Sequence, residues 1–105
     1  MSSGAHKRDK GVRGEREVAQ LFEQAGFEVR GLEGLGDHNA FRDETGRLLA
    51  IHLEVKRQER LRVQEWLRQT VDESPAGMLP LLCFRQNRER WIACLPLDNL
   101  LELLR

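Results

Sequence analysis

The run Leu48-Leu49-Ala50-Ile51-His52-Leu53-Glu54-Val55-Lys56 constrains the fold of this chain more than any other stretch. Successive side chains of a β-strand point to opposite faces. Read as a strand, the run lays Leu49, Ile51, Leu53 and Val55 in one row, suited to a core, and His52, Glu54 and Lys56 in the other. A carboxylate and an ammonium then stand side by side at a strand terminus. A carboxylate can hold a hard divalent cation, and a neighbouring lysine can position or activate a water next to a phosphate. An amphipathic strand with a surface ion pair would show the same tripeptide, so the rest of the chain has to decide.

Around this strand the sequence alternates between helical and extended patterns. Residues 1 to about 9 are small, polar and basic, and are expected to be a disordered tail. From about Gly11 to Ala25 the apolar residues Val18, Leu21, Phe22 and Ala25 recur at helical spacing, and Gly26 stops the helix. Phe27 to Arg30 reads as a short strand, followed by a loop with Gly31, Gly34 and Gly36 that ends at Asp37. Ala40-Phe41-Arg42 reads as a second strand and Asp43-Glu44-Thr45-Gly46 as the turn into the long strand. A second helix is expected over Leu61 to Glu73, with Val63, Trp66, Leu67, Thr70 and Val71 on one side. Met78 to Phe84 is a nearly continuous apolar run, as in a strand covered on both faces. Trp91 to Leu95 forms the last strand, closed by Pro96, and Asp98 lies at the start of a final helix with Leu100, Leu101 and Leu104. The order is helix, three strands, helix, two strands, helix (αβββαββα), an α/β fold in a single domain over residues 10–105.

Composition narrows the class. A chain of 105 residues with 32% charged and 40% hydrophobic residues builds one modest core. Its apolar runs are too short to span a bilayer and no signal peptide is expected, so the protein is read as cytoplasmic, without a membrane partner. Cys83 and Cys94 have no metal-type spacing and are read as buried free thiols. The formal net charge is zero, but arginine and lysine cluster at Lys7, Arg8, Lys10 and Arg13, at Arg57, Arg60 and Arg62, and at Arg85, Arg88 and Arg90. A guanidinium can hold two phosphate oxygens at once, so such clusters suit nucleic acid.

Candidate acids follow from geometry. At about 100° per residue, Glu15 falls within the arc of Val18, Ala19 and Phe22, whereas Glu17 lies outside it and is read as a solvated surface residue. A glutamate aimed toward the core costs desolvation unless a cation or donors await it there. Asp37 closes a glycine loop, a position that serves either a turn or chemistry. Gln69, beside Trp66 on the second helix, either reaches back to the strand end or caps the helix surface. His38 is read as a loop residue.

Taken together these residues resemble the PD-(D/E)XK nuclease superfamily, and within it the Holliday junction resolvase group of archaea and phages. The resemblance runs through Lys10-Gly11-x-x-Gly14-Glu15-Arg16-Glu17, Gly26-Phe27, the glycine loop, Leu53-Glu54-Val55-Lys56 and Gln69. Small phage resolvase-like proteins also have stretches similar to Glu54-Val55-Lys56-Arg57-x-Glu59-Arg60-Leu61, Arg85-x-Asn87-Arg88 with Trp91, and Leu97-x-x-x-Leu101-Glu102-Leu103-Leu104.

The resemblance implies a restriction-endonuclease-like core with a mixed central sheet flanked by helices. It implies hydrolysis of phosphodiester bonds in branched DNA with Mg2+, for which Mn2+ can substitute. Asp37 and Glu54 would ligate the metal, with the backbone carbonyl of Val55 nearby. Glu15 would be an outer acid, Lys56 would orient the attacking water and Gln69 would help to place Lys56 or the water. Lys7, Arg8, Lys10, Arg13, Arg57 and Arg60 would contact DNA. One departure is visible: the family sets its acid in a proline-aspartate step at the start of a strand, whereas here the text is Gly36-Asp37-His38-Asn39-Ala40-Phe41. Asp37 is the preferred acid. If Asn39 holds that place, an amide stands where an anion is needed, and the protein would be a nuclease-fold DNA binder with weakened catalysis. Another nicking or repair nuclease of the superfamily is a further alternative. The leucines of the last helix ring it more fully than one core face requires, which points to a homodimer whose paired sites would nick a junction symmetrically.

Overall fold

The computed structural model of the protein describes residues 3–30, 39–42 and 48–105, with side-chain detail for residues 13–27 and 51–105. Helix α1 (Ser3–Gln24) is followed by β1 (Glu28–Arg30), β2 (Asn39–Arg42) and β3 (Leu48–Arg57). Helix α2 (Val63–Glu73) then leads into β4 (Leu79–Arg85), β5 (Ile92–Cys94) and α3 (Leu97–Leu103). The order is the expected one. The glycine loop with Asp37 and His38, and the turn expected at residues 43–46, lie outside the described residues.

The five strands form one sheet in sequence order, β1-β2-β3-β4-β5. The first three make an antiparallel meander. Strand β3 then pairs in parallel with β4 across the α2 connection, and β4 pairs antiparallel with β5. The sheet is therefore mixed, and its parallel pair lies between the helices, where parallel strands are normally buried.

Register assigns the two faces. Ile51 pairs with Leu79, Leu53 with Leu81 and Val55 with Cys83. This face packs on α1, where Val18 joins Ile51, Leu53 and Cys83, with Ala19, Phe22 and Trp91 against them. Glu54 pairs with Leu82 and Lys56 with Phe84 on the opposite face. There α2 brings Trp66 onto Leu82 and Phe84, with Val63 and Leu67 alongside. The Thr70 hydroxyl, fully buried under α2, donates to the Trp66 carbonyl at 2.7 Å, so its polar group is satisfied within the helix.

Helix α1 departs from expectation at its start. It begins at Ser3, not near Gly11, so residues 3–9, read as a disordered tail, have helical backbone. Once the packed part of a helix has nucleated, extension through good helix formers such as Ala5, Lys7, Arg8 and Lys10 costs little, and no proline intervenes. Further along, Gly14 is buried where α1 crosses β3. A Cβ there would lie 3.3 Å from Arg57 Cβ and 3.5 Å from both Val55 Cγ1 and Trp91 Cη2. The glycine lets helix and sheet approach closely despite its low helix propensity. Both cysteines are free, Cys83 buried and Cys94 half-buried. Among the described residues no helix is long and apolar enough to cross a membrane.

Candidate active site

The site is built where β3 outruns its neighbour. The β2–β3 ladder extends from Arg42 opposite Leu48 to Asn39 opposite Ile51, whereas β3 continues to Arg57. His52, Glu54 and Lys56 follow at alternate positions on that continuation, on the α2 face. Lys56 Nζ stands 3.6 Å from Glu54 Oε1, both side chains half-buried.

Two further acids converge on Glu54 from the two helices. From α1, Glu15 places Oε2 in a fully buried position without a hydrogen-bond partner among the described residues. Burial, and after it the nearby charge of Glu54, raise the Glu15 carboxyl above the ordinary glutamate value. From the last turn of α2, Glu73 brings its carboxylate beside the buried His52 and Glu54, so that one ligand atom from each of the three lies within 4.8 Å of the others. Gln69, one turn earlier and exposed, donates to Glu73 Oε1 at 3.1 Å. Its amide therefore engages Glu73 and reaches the site through that residue.

The sequence reading missed Glu73. It ended the helix there and gave the residue no role. The signal was the spacing of four from Gln69, which puts both on one side of α2. His52 was placed on the correct face of the strand and left unassigned, although its register with Glu54 was already visible.

Beyond Lys56, on the α1 face, Glu17 occupies a second polar centre. Its carboxylate meets Arg57 Nη1 at 3.2 Å and Arg85 Nη2 at 3.1 Å, and accepts from Trp91 Nε1 at 3.1 Å. The Arg85 guanidinium also lies 5.5 Å from the Trp91 ring centre. Glu17 is thus not the solvated residue expected. The helical wheel located the core arc correctly, but the arginines at the ends of β3 and β4 rise along the side of α1 and capture it. Arg57, expected at DNA, is held by Glu17, while Arg13 and Arg60 are exposed. Lys7, Arg8 and Lys10 lie on α1 in the part without side-chain detail, and Asp37 lies outside the described residues. Asn39 is the first residue of β2.

Residues 6–105 match the family described as "Phage putative PDDEXK endonuclease". The chain belongs to this family. As a PDDEXK endonuclease it is a nuclease, and the fold agrees. A solved structure of Hjc, a Holliday junction resolvase from the archaeal hyperthermophile Archaeoglobus fulgidus, is similar with a TM-score of 0.58 and 21% identity, over 81% of this chain and 76% of that one. The likeness at that identity is one of fold. No curated protein matches the sequence.

PDDEXK endonucleases need a divalent metal, and the donors here fit one. Glu54 has the Lys56 ammonium at 3.6 Å and forms a cluster with Glu73 and His52 in which the ligand atoms lie within 4.8 Å of one another, while burial, and after it the Glu54 charge, raise the Glu15 carboxyl. Carboxylate oxygens suit hard cations such as magnesium and manganese, and the imidazole of His52 adds a donor that manganese accepts readily.

Proposed function

We propose that this PDDEXK endonuclease hydrolyses phosphodiester bonds in branched DNA, Holliday junctions among them, with Mg2+ as its metal and Mn2+ able to replace it. The observation that carries the reading is the Glu54–Lys56 pair at the projecting end of β3, with the buried oxygen of Glu15 beside Glu54. Asp37 and Glu54, with the Val55 carbonyl, hold the metal, and Glu15 acts from outside the ligand shell. A cation held there would supply positive charge to offset the negative charge of the scissile phosphate and the departing oxygen. Lys56 orients a water toward phosphorus and stabilises negative charge on the phosphorane. The new P–O bond forms and the bond to the leaving sugar oxygen breaks, and the proton released by the water passes through solvent to that oxygen. Gln69, through Glu73, steadies the α2 side of the site.

The exposed leucines of α3 support a second feature, a symmetric dimer that would present two such sites to a junction. The basic residues of α1, Lys7, Arg8, Lys10 and Arg13, with Arg60, supply DNA contacts, and the protein works in the cytoplasm of a bacterial or phage-infected cell.

A second reading rests on Asn39, which opens β2 opposite Ile51. If the amide occupies the acid's place, the protein binds junctions without cutting them well. One experiment separates the readings: nicking of junction, flap and linear duplex, with and without Mg2+, by the natural protein, Asp37→Asn and Asn39→Asp. The expected result is metal-dependent cleavage of branched substrates that Asp37→Asn abolishes and Asn39→Asp does not improve. An inert natural protein switched on by Asn39→Asp, by on the order of a thousandfold, would overturn the assignment, since one restored anionic ligand can contribute several kcal/mol to a transition state.

A further inference from the structure

The ends of the parallel strands carry a second basic surface, built from two segments remote in sequence. Gln58 follows β3 and its N–H donates to the Arg85 carbonyl at 3.2 Å, extending the β3–β4 ladder into the loop. The next residue, Glu59, then acts as a clasp. Its carbonyl accepts from Gln86 Nε2 at 2.7 Å and its carboxylate Oε2 accepts from the Asn87 N–H at 2.8 Å. The 86–89 turn closes on itself through Glu89 N–H to the Gln86 carbonyl at 3.2 Å, and Arg85 Nη1 donates to the Glu89 carbonyl at 3.2 Å. Arg88 sits in that turn with φ of 65°, a left-handed conformation that a non-glycine residue holds only when its surroundings impose it.

These bonds set Arg60 and Arg62 on one segment beside Arg88 and Arg90 on the other, all exposed. Arg62 makes a loose surface pair with Glu65 at 3.5 Å, and Glu89 is the other acid in the turn. Arg57 and Arg85 beneath them are already neutralised in part by Glu17, so the outward charge belongs to the loops. Arg60 lies four residues past Lys56, at most about 14 Å along the chain. Duplex DNA rises about 3.4 Å per base pair, so this surface reaches phosphates within about four base pairs of one placed at Lys56.

We propose that residues 58–62 and 86–90, clasped by Glu59, form a single rigid surface that grips the DNA backbone beside the scissile phosphate, with Glu59 as its positioning residue. The proposal rests on the nuclease reading above and adds to it where the flanking strand is held. Its sign makes it testable. Glu59 is an acid within a cationic surface, so removing it should strengthen DNA binding if charge alone mattered. A clasp predicts the reverse.

The experiment measures binding of junction DNA in Ca2+ buffer across a salt series for the natural protein, Glu59→Ala, Glu59→Gln and Arg88→Gly. Each phosphate contact contributes about 0.9 to the log–log salt slope and so about eightfold at 0.1 M salt. Glu59→Ala is expected to weaken binding at least eightfold with a flatter slope. Glu59→Gln, whose amide oxygen still accepts from the Asn87 N–H, should recover most of it. Arg88→Gly removes the charge while easing the left-handed backbone, so it should lose about eightfold without any fall in Tm. Glu59→Ala binding as tightly as the natural protein or tighter overturns the clasp alone. A natural protein with no salt-dependent binding of junction DNA overturns the branched-DNA reading, and the proposal with it.

Discussion

Glu15 shows how a single residue registers the demand of the site for positive charge. Its Oε2 is buried without a partner among the described residues, and burial followed by the Glu54 charge raises its carboxyl above the usual value of 4.5. In the folded chain it therefore binds its proton more tightly than in the unfolded chain. Its stabilising contribution is complete below about pH 4.5 and is lost as pH rises through the raised folded value. Thermal melts in EDTA should accordingly show the natural protein falling behind Glu15→Gln as pH climbs from 4.5 to 8. At pH 8 the variant should melt a few degrees higher, on the order of 1 kcal/mol for a domain of this size. Adding Mg2+ should narrow the gap by stabilising the natural protein more. Parallel melting curves for the two proteins across that range would refute the account. Cys83 is a contrasting case: burial pushes its thiol up to about 12, so it stays protonated and serves the core, as its apolar neighbours in sequence implied.

At the level of elements, α1 is fastened to the sheet at two points close in sequence, by the absence of a side chain at Gly14 and by the carboxylate of Glu17. Glu17→Gln would leave Arg57 and Arg85, neighbours across the β3–β4 ladder, facing each other without a counter-charge. Glu17 is itself about a third exposed, so solvent screens part of the effect, and the expected cost is about 1–2 kcal/mol. Urea unfolding should show a lower midpoint with an unchanged m-value, while Glu23→Gln on the exposed side of α1 should leave both in place. No shift in midpoint for Glu17→Gln would mean that solvent, and not Glu17, carries the two arginines. The same contrast explains what was legible in the sequence. The elements were, because apolar residues at periods of two and 3.6 state the local geometry directly. Glu54 and Lys56 were, because one strand sets their relationship. Glu17 was misread and Glu73 overlooked because their partners come from elsewhere: Glu17 and Arg85 are 68 residues apart, and nothing local to either announces the other.

At the scale of the whole molecule, the apolar face of α3 calls for a partner. A chain of 105 residues has little surface with which to hold a four-way junction by itself, yet its last helix leaves Leu97 67%, Leu101 51% and Leu104 73% exposed, with Leu100 and Leu103 partly so. Ile92 on the adjoining edge strand β5 is exposed as well. Pairing this face with its equivalent on a second copy would bury a continuous apolar stripe about a two-fold axis. Each fully buried leucine contributes about 1.5–3 kcal/mol. Replacing Leu101 and Leu104 with glutamate would remove two such contributions per subunit and set like charges across the axis. The natural protein should therefore sediment at twice 12.2 kDa and Leu101→Glu/Leu104→Glu at 12.2 kDa, with the dimer dissociation constant raised by at least about a thousandfold and far-ultraviolet circular dichroism unchanged. The functional consequence follows from symmetry. On a supercoiled plasmid that extrudes a cruciform, the natural dimer should cut both strands within one bound complex and give linear product. The monomeric variant, with both active sites' residues intact, should accumulate nicked circles instead. A natural protein that sediments as a monomer, or a variant that still linearises the plasmid in one encounter, would refute the dimer and return α3 to a simple terminal helix.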